Sequence, residues 1–253
     1  MAAQRPHRLT RRQATAVAAA EMRAFGDVLA SLDGDDWDRD TDSAGWTVRH
    51  VAAHVTGQYE ELARPAVLLR RLGAARRRYR DRSVLDGHNQ VQIDDLGGLG
   101  PDGLRARYAK VGPAAVRMAR IMPGFVRRVP SRKLFPGEAL AEPDLGYLID
   151  VVAPRDTWMH RLEVARATGV VFEVDAHDEA IVGQVMRDLH AGWRGRPLHL
   201  ELTGPAGGTW AIGRGPALES AQVDTLALMR HLSGRGGLDL PPDSPLADAR
   251  VVF

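Results

Sequence analysis

Asp156-Thr-Trp-Met-His160, read with Trp46-Thr-Val-Arg-His50-Val-Ala-Ala-His54-Val55, decides how this chain folds. Residues four apart on a helix lie one above the other, so Asp156 and His160 point the same way. The row of Asp156 carries Val152 before it and Val164 after it, an inward-facing set. An ionised carboxylate inside a helical core costs several kcal/mol unless it is paired or bound to a cation. Val51 and Leu62 put His54 on an inward row too, although Gln58, four residues on, interrupts it with a polar side chain. Two imidazoles and one carboxylate, brought together from two packed helices, make a three-ligand site for a divalent metal with a further position open. The competing reading of His54 is a satisfied core histidine. His50 is an alternative to it on a less buried row. Glu163, three residues after His160, is either a competing ligand or the partner that orients that imidazole.

Outward from these helices, the rest of the first two-thirds also reads as helical. An Ala-rich pattern runs from Thr10 to Leu32 and ends at Asp33-Gly34-Asp35-Asp36. A second helix begins near Thr47 and stops about Leu62, before Pro65. Helical sequence continues through an arginine-rich stretch to about Arg82, and Gly97 to Pro101 is a break. Asp102 to Ile121 is amphipathic, with Pro113 expected to bend or divide it. Pro123 to Pro143 reads as a long connection. Leu145 to Thr168 is again helical, kinked or restarted at Pro154 and capped by Gly169. Four principal helices with one long crossover suggest a bundle.

The composition changes after Gly169. A helix is expected from about Asp178 to Trp193. Leu198-His-Leu-Glu-Leu202 alternates as a half-buried strand. Gly-Pro-Ala-Gly-Gly and Thr-Trp-Ala-Ile-Gly follow as a turn and a second strand. Ala217-Leu-Glu219 is a candidate third strand, and Ala221 to Leu232 a final helix stopped by Gly234. The expected fold class is α+β, with a helical bundle over residues 1–171 and a small α+β module over 172–253.

Bulk composition narrows the function. There is no cysteine among the 253 residues, so disulfides, Cys-ligated zinc and a cysteine nucleophile are excluded. The formal net charge is only +2, and no apolar run approaches the ~20 residues that cross a bilayer. Arg11-Arg12 faintly suggests an export signal, but Glu21 and Arg23 interrupt the apolar part, and a cytoplasmic protein is expected. Arg70 to Arg82 holds seven arginines and one tyrosine. Without interleaved aromatics the run is expected to be a solvated helix face and not a nucleic-acid platform. Gly98-Leu-Gly-Pro-Asp-Gly103 satisfies a dinucleotide-binding pattern but lacks the preceding strand, and reads as a loop before a helix.

Trp37 and the run Gly45-Trp-Thr-Val-Arg-His-Val-Ala-Ala-His-Val55, taken with Asp156-Thr-Trp-Met-His-Arg-Leu-Glu-Val-Ala-Arg-Ala-Thr-Gly169, resemble the mycothiol-dependent maleylpyruvate isomerase family. That family belongs to the DinB-like metal-binding four-helix bundles. Val223 to Arg235, ending Leu-Met-Arg-His-Leu-Ser-Gly-Arg, is similar to its sterol-carrier-like C-terminal domain. The resemblance covers nearly the whole chain. It implies a metal triad at His54, Asp156 and His160, holding Zn²⁺ or, alternatively, Ni²⁺ or Mn²⁺. The family often has glutamate where this chain has Asp156, so a small helix shift or a different metal preference is implied. Many relatives have Cys-Pro-Gly-Trp where this chain has Ser43-Ala-Gly-Trp46. The resemblance further implies that Arg235, with Arg230 as its neighbour, reaches the site to bind a substrate carboxylate. It implies mycothiol as the thiol cosubstrate of a small electrophile, in isomerisation by thiolate addition and elimination or in S-transfer. The alternative expectation is a non-enzymatic small-ligand-binding protein with a structural or vestigial metal site. Oligomeric state is not legible.

Overall fold

The computed structural model describes residues 7–137, 140–241 and 243–253. The chain separates into two compact units. One is helical and spans Arg11–Phe172; the other is built on Glu173–Phe253 and includes the segment before the first helix.

The helical unit starts with α1 (Arg11–Ser31), whose buried stripe of Ala14, Val17, Glu21, Phe25, Val28 and Leu29 follows the three-and-four spacing of one helix face. α2 (Val48–Ala63) begins at Thr47, whose backbone N–H donates to Nδ1 of His50 at 3.1 Å. This bond uses the ring of His50 to close the helix start. α3 (Pro65–Arg78) carries a proline in its first turn, where no N–H is needed. α4 (Val84–Leu96) starts at Ser83, whose hydroxyl accepts from the backbone N–H of Asp86 at 3.0 Å. α5 (Pro101–Ile121) follows, then the short α6 (Gly124–Arg127) and α7 (Leu145–Tyr147). A widened π-turn, Leu148–Val152, leads into α8 (Ala153–Thr168), which Gly169 closes at φ +79°.

α1, α2, α5 and α8 pack together as the bundle, and the α3–α4 hairpin packs onto α2. The core is Phe25, Leu29, Trp37, Val48, Val51, Val55, Leu104, Tyr108, Val111 and Val164 with their neighbours.

Two local expectations change, and of the two offered at Pro154 one holds. First, helical sequence stops at Arg78, not Arg82, and α4 is an additional helix. Its inward residues include His88 and Gln92, so it lacks the apolar stripe that would reveal it. Second, Pro113 does not divide α5. Both Pro113 and Ala109, whose carbonyl loses its helical partner, lie on the solvent side, where the freed oxygen is open to water. The segment before Pro154 does restart, through the π-turn. Proline has no N–H for the carbonyl of Asp150 and clashes with it, and widening that turn relieves both problems.

In the second unit, the side-chain amide of Gln184 donates to the carbonyl of His7 at 2.9 Å and accepts from the N–H of Leu9 at 3.4 Å. α9 (Ala176–Gly192) precedes β1 (Leu198–Thr203), β2 (Gly208–Ile212) and β3 (Glu219–Asp224), with strand order β2-β1-β3. β1 and β2 pair antiparallel, with Leu200 opposite Trp210. β3 joins β1 in parallel, from Leu198 opposite Glu219 to Thr203 opposite Asp224. Residues 221–224, expected at the start of the last helix, are therefore strand. α10 (Thr225–Leu232) begins only where Asp224 caps it by accepting from the N–H of Ala227. Strand pairing across the sequence overrides a local helical preference. Buried apolar residues of α9, β1, β2 and α10, among them Val185, Leu200, Trp210 and Leu228, form this unit's own core. The fold is α+β.

Candidate metal centre

α2 supplies His54, and α8 supplies Asp156 and His160 one turn apart. Both histidines are 2% exposed and Asp156 is 9% exposed. His54 Nε2 lies 3.4 Å from Asp156 Oδ2, and His160 Nε2 lies 3.5 Å from Asp156 Oδ1. One ligand atom from each residue falls within 4.8 Å of the other two. Bonds of about 2.0–2.2 Å to a tetrahedral ion separate its ligand atoms by about 3.3–3.6 Å. Each histidine's distance to its own oxygen of Asp156 matches that separation, and the donor set of two imidazoles and a carboxylate suits the chemistry of a zinc-sized ion.

The far nitrogen of each imidazole has its own partner. Gln92 Oε1, on α4, lies 2.7 Å from His54 Nδ1, so that nitrogen carries the proton and donates it to the amide oxygen. Glu163 Oε2 lies 2.5 Å from His160 Nδ1 and accepts from it, and Glu163 Oε1 accepts from Ser43 Oγ at 2.7 Å. Both Nε2 atoms are thereby left as lone-pair donors facing Asp156. Such partners fix the tautomer and ring plane of a metal-binding histidine. Burial, opposed by Asp156, lowers the pKa of His54, which favours the neutral imidazole that binds a cation. Trp46 covers the pair, with its ring centroid 5.1 Å from that of His54 and 5.9 Å, nearly parallel, from that of His160.

Behind Gln92 lies a buried polar network. Gln92 Nε2 donates to Glu61 Oε2 at 3.0 Å, and Glu61 also meets His88 Nε2 at 3.1 Å. Arg71 donates to Glu61 at 3.1 Å, Glu60 at 2.8 Å, Asp95 at 3.0 Å and the carbonyl of Gly57 at 3.1 Å. A side chain on Gly57 has no room, because a Cβ there would lie 2.8 Å from that of Gln92. Burial alone would lower the pKa of Arg71, but the carboxylates of Glu61, Asp95 and Glu60 outweigh it and the guanidinium is held charged. Six of the seven arginines between Arg70 and Arg82 are exposed, as a solvated face requires. Arg71 is the exception, at 1% exposed.

Of the residues singled out from sequence, the structure brings His54, Asp156, His160 and Glu163 together. His50 is occupied at the helix start. Arg235 belongs to the second unit, where its N–H donates to the carbonyl of Arg230 at 2.9 Å. Sequence reasoning missed Gln92, which carried no motif, and the role of Ser43, which was visible only as a replaced cysteine.

The profile of the mycothiol maleylpyruvate isomerase N-terminal domain matches residues 18–165. A crystal structure of the mycothiol-dependent maleylpyruvate isomerase is 17% identical, covers 92% of this chain and 95% of its own, and superposes with a TM-score of 0.59. A histidine-to-alanine mutant of that enzyme is 16% identical over 90% of this chain and 91% of its own, with a TM-score of 0.58. At these identities the likeness is one of fold. No curated protein matches the chain. The match over residues 18–165 spans more than half of the sequence, and the chain belongs to the mycothiol maleylpyruvate isomerase N-terminal domain family.

Proposed function

We propose that this protein is a divalent-metal enzyme that uses mycothiol, or a closely similar low-molecular-weight thiol, to isomerise or S-conjugate a small electrophilic substrate. The observation that carries the reading is the buried convergence of His54, Asp156 and His160, with one ligand atom of each within 4.8 Å of the others. The family match and the fold of the maleylpyruvate isomerase structures support it. In this reading His54, Asp156 and His160 hold the ion, with zinc the best fit to two imidazoles and a carboxylate and nickel or manganese as alternatives. When bound, the ion lowers the pKa of a thiol at its open position, so that thiolate forms near neutral pH.

The chain's own residues do the rest. Gln92 and Glu163 keep both imidazoles in the tautomer that turns a lone pair toward the ion. Ser43 holds Glu163 in place, and the indole of Trp46 shields the two rings from water. Arg235, or Arg230 beside it, is the proposed cation for a substrate carboxylate, on the strength of the family resemblance. The thiol comes from the cosubstrate, because the protein has no cysteine.

The test is metal analysis of protein purified without chelators, followed by turnover of maleylpyruvate and other activated alkenes with and without mycothiol. About one equivalent of metal per chain and thiol-dependent turnover are expected. Metal without thiol-dependent turnover would favour the non-enzymatic binding protein, and no metal uptake on titration would overturn the site.

A further inference from the structure

Gln58 follows His54 by one helical turn on α2 and faces the same way. Its amide nitrogen donates to Asp156 Oδ2 at 2.6 Å and lies 3.1 Å from His54 Nε2. Because the proton of His54 is on Nδ1, its Nε2 can only accept, so both contacts use N–H groups of one amide. The amide of Gln58 thus takes up lone pairs on two of the three proposed ligand atoms. Its oxygen, Oε1, is buried and has no hydrogen-bond partner among the described residues. An unpartnered buried carbonyl in a polar cluster calls for a cation or a donor.

An ion bound to both His54 and Asp156 needs the lone pairs that the amide N–H groups now use. A half-turn of the amide about its last side-chain torsion exchanges nitrogen for oxygen. It costs no hydrogen bond at Oε1, which makes none, gives up the two made by Nε2 to Asp156 and His54, and replaces those two N–H donors by one oxygen donor to the ion. We propose that Gln58 is the fourth protein ligand of the metal centre, contributing its amide oxygen; this rests on the metal reading given above. A neutral amide oxygen would be the weakest of the four ligands and the one that a thiol cosubstrate would replace.

The experiment measures Co²⁺ affinity by chelator competition, together with the visible ligand-field spectrum, for the wild type, Gln58→Ala and Gln58→Glu. If the amide oxygen is a ligand, Gln58→Ala binds Co²⁺ about tenfold more weakly and its spectrum changes. Gln58→Glu then offers an anionic oxygen at the same place and binds Co²⁺ about tenfold more tightly than the wild type. If Gln58 only donates to Asp156, the glutamate variant sets a second carboxylate against the first without reaching the ion. Affinity equal to or below wild type in Gln58→Glu overturns the proposal, and that variant serves even if Gln58→Ala folds poorly. The two readings fail differently: wild type that binds no Co²⁺ overturns both, whereas tight wild-type binding with no gain in Gln58→Glu overturns only the role of Gln58.

Discussion

Gln92 Oε1 sits 2.7 Å from Nδ1 of His54, so a neutral amide holds one candidate ligand while a carboxylate, Glu163, holds the other through His160 Nδ1. The two imidazoles of the site are therefore unequal donors. A carboxylate fixes the ring of His160 and a neutral amide fixes that of His54, so the two rings are held by partners of different charge.

Removing these partners separates orientation from ligation. Gln92→Ala and Glu163→Gln should each weaken metal binding by about 10–100-fold without abolishing it. Chelator competition measures this, and unchanged affinity in both variants would show that the far nitrogens do not matter.

His160→Ala should lose tight metal binding outright while far-UV circular dichroism shows largely unchanged helix content. Full metal retention in that variant would remove His160 from the ligand set.

Arg71→Met tests the network behind the site. It takes the buried guanidinium from Glu60, which keeps Arg107, and from Glu61, which keeps only His88 and Gln92, and breaking a buried pair this way costs about 3–5 kcal/mol. Urea unfolding should show a loss of that size, and a loss below about 1 kcal/mol would mean that water or side-chain movement satisfies both acids.

Asp95 predicts a pH dependence. Burial would raise its pKa, but Arg70 and Arg71 outweigh burial and hold it below the usual carboxylate value. A depressed folded pKa means that the contribution to stability is complete above the unfolded value of about 4 and is lost as pH falls through the folded one. Thermal unfolding between pH 6 and pH 2.5 should show Asp95→Asn losing less stability on acidification than the wild type, and parallel curves would contradict this.

Arg235→Ala should raise KM for a carboxylate substrate by tenfold or more with metal content unchanged. If Arg230→Ala produces that effect instead, the neighbouring arginine holds the substrate.

Much of this was legible along the chain because it depends on local spacing. Asp156 and His160 share a face by helical period alone, Gly169 closes α8 because it accepts a positive φ, and alternation marks β1. The α4 helix was hidden for the same reason, since His88 and Gln92, which face a polar network, interrupt its buried Val91, Ile93 and Leu96. Arg71 looked like its six exposed neighbours because no local signal distinguishes a buried guanidinium from a solvated one. The start of α10 was misplaced because residues 221–224 pair with β1, 21 residues earlier.

The sequence by itself therefore determined the α+β class, the two metal-facing helices and the residue types that meet between them, because helical and strand periods are written into consecutive side chains. Only the tertiary structure decided which groups stand behind those residues. It brought Gln92 to His54, Ser43 to Glu163 and Arg71 to Glu60 and Glu61 across separations of 10 to 120 residues. Hydrogen bonds of that kind follow from packing and desolvation, and no pattern in a linear chain encodes them.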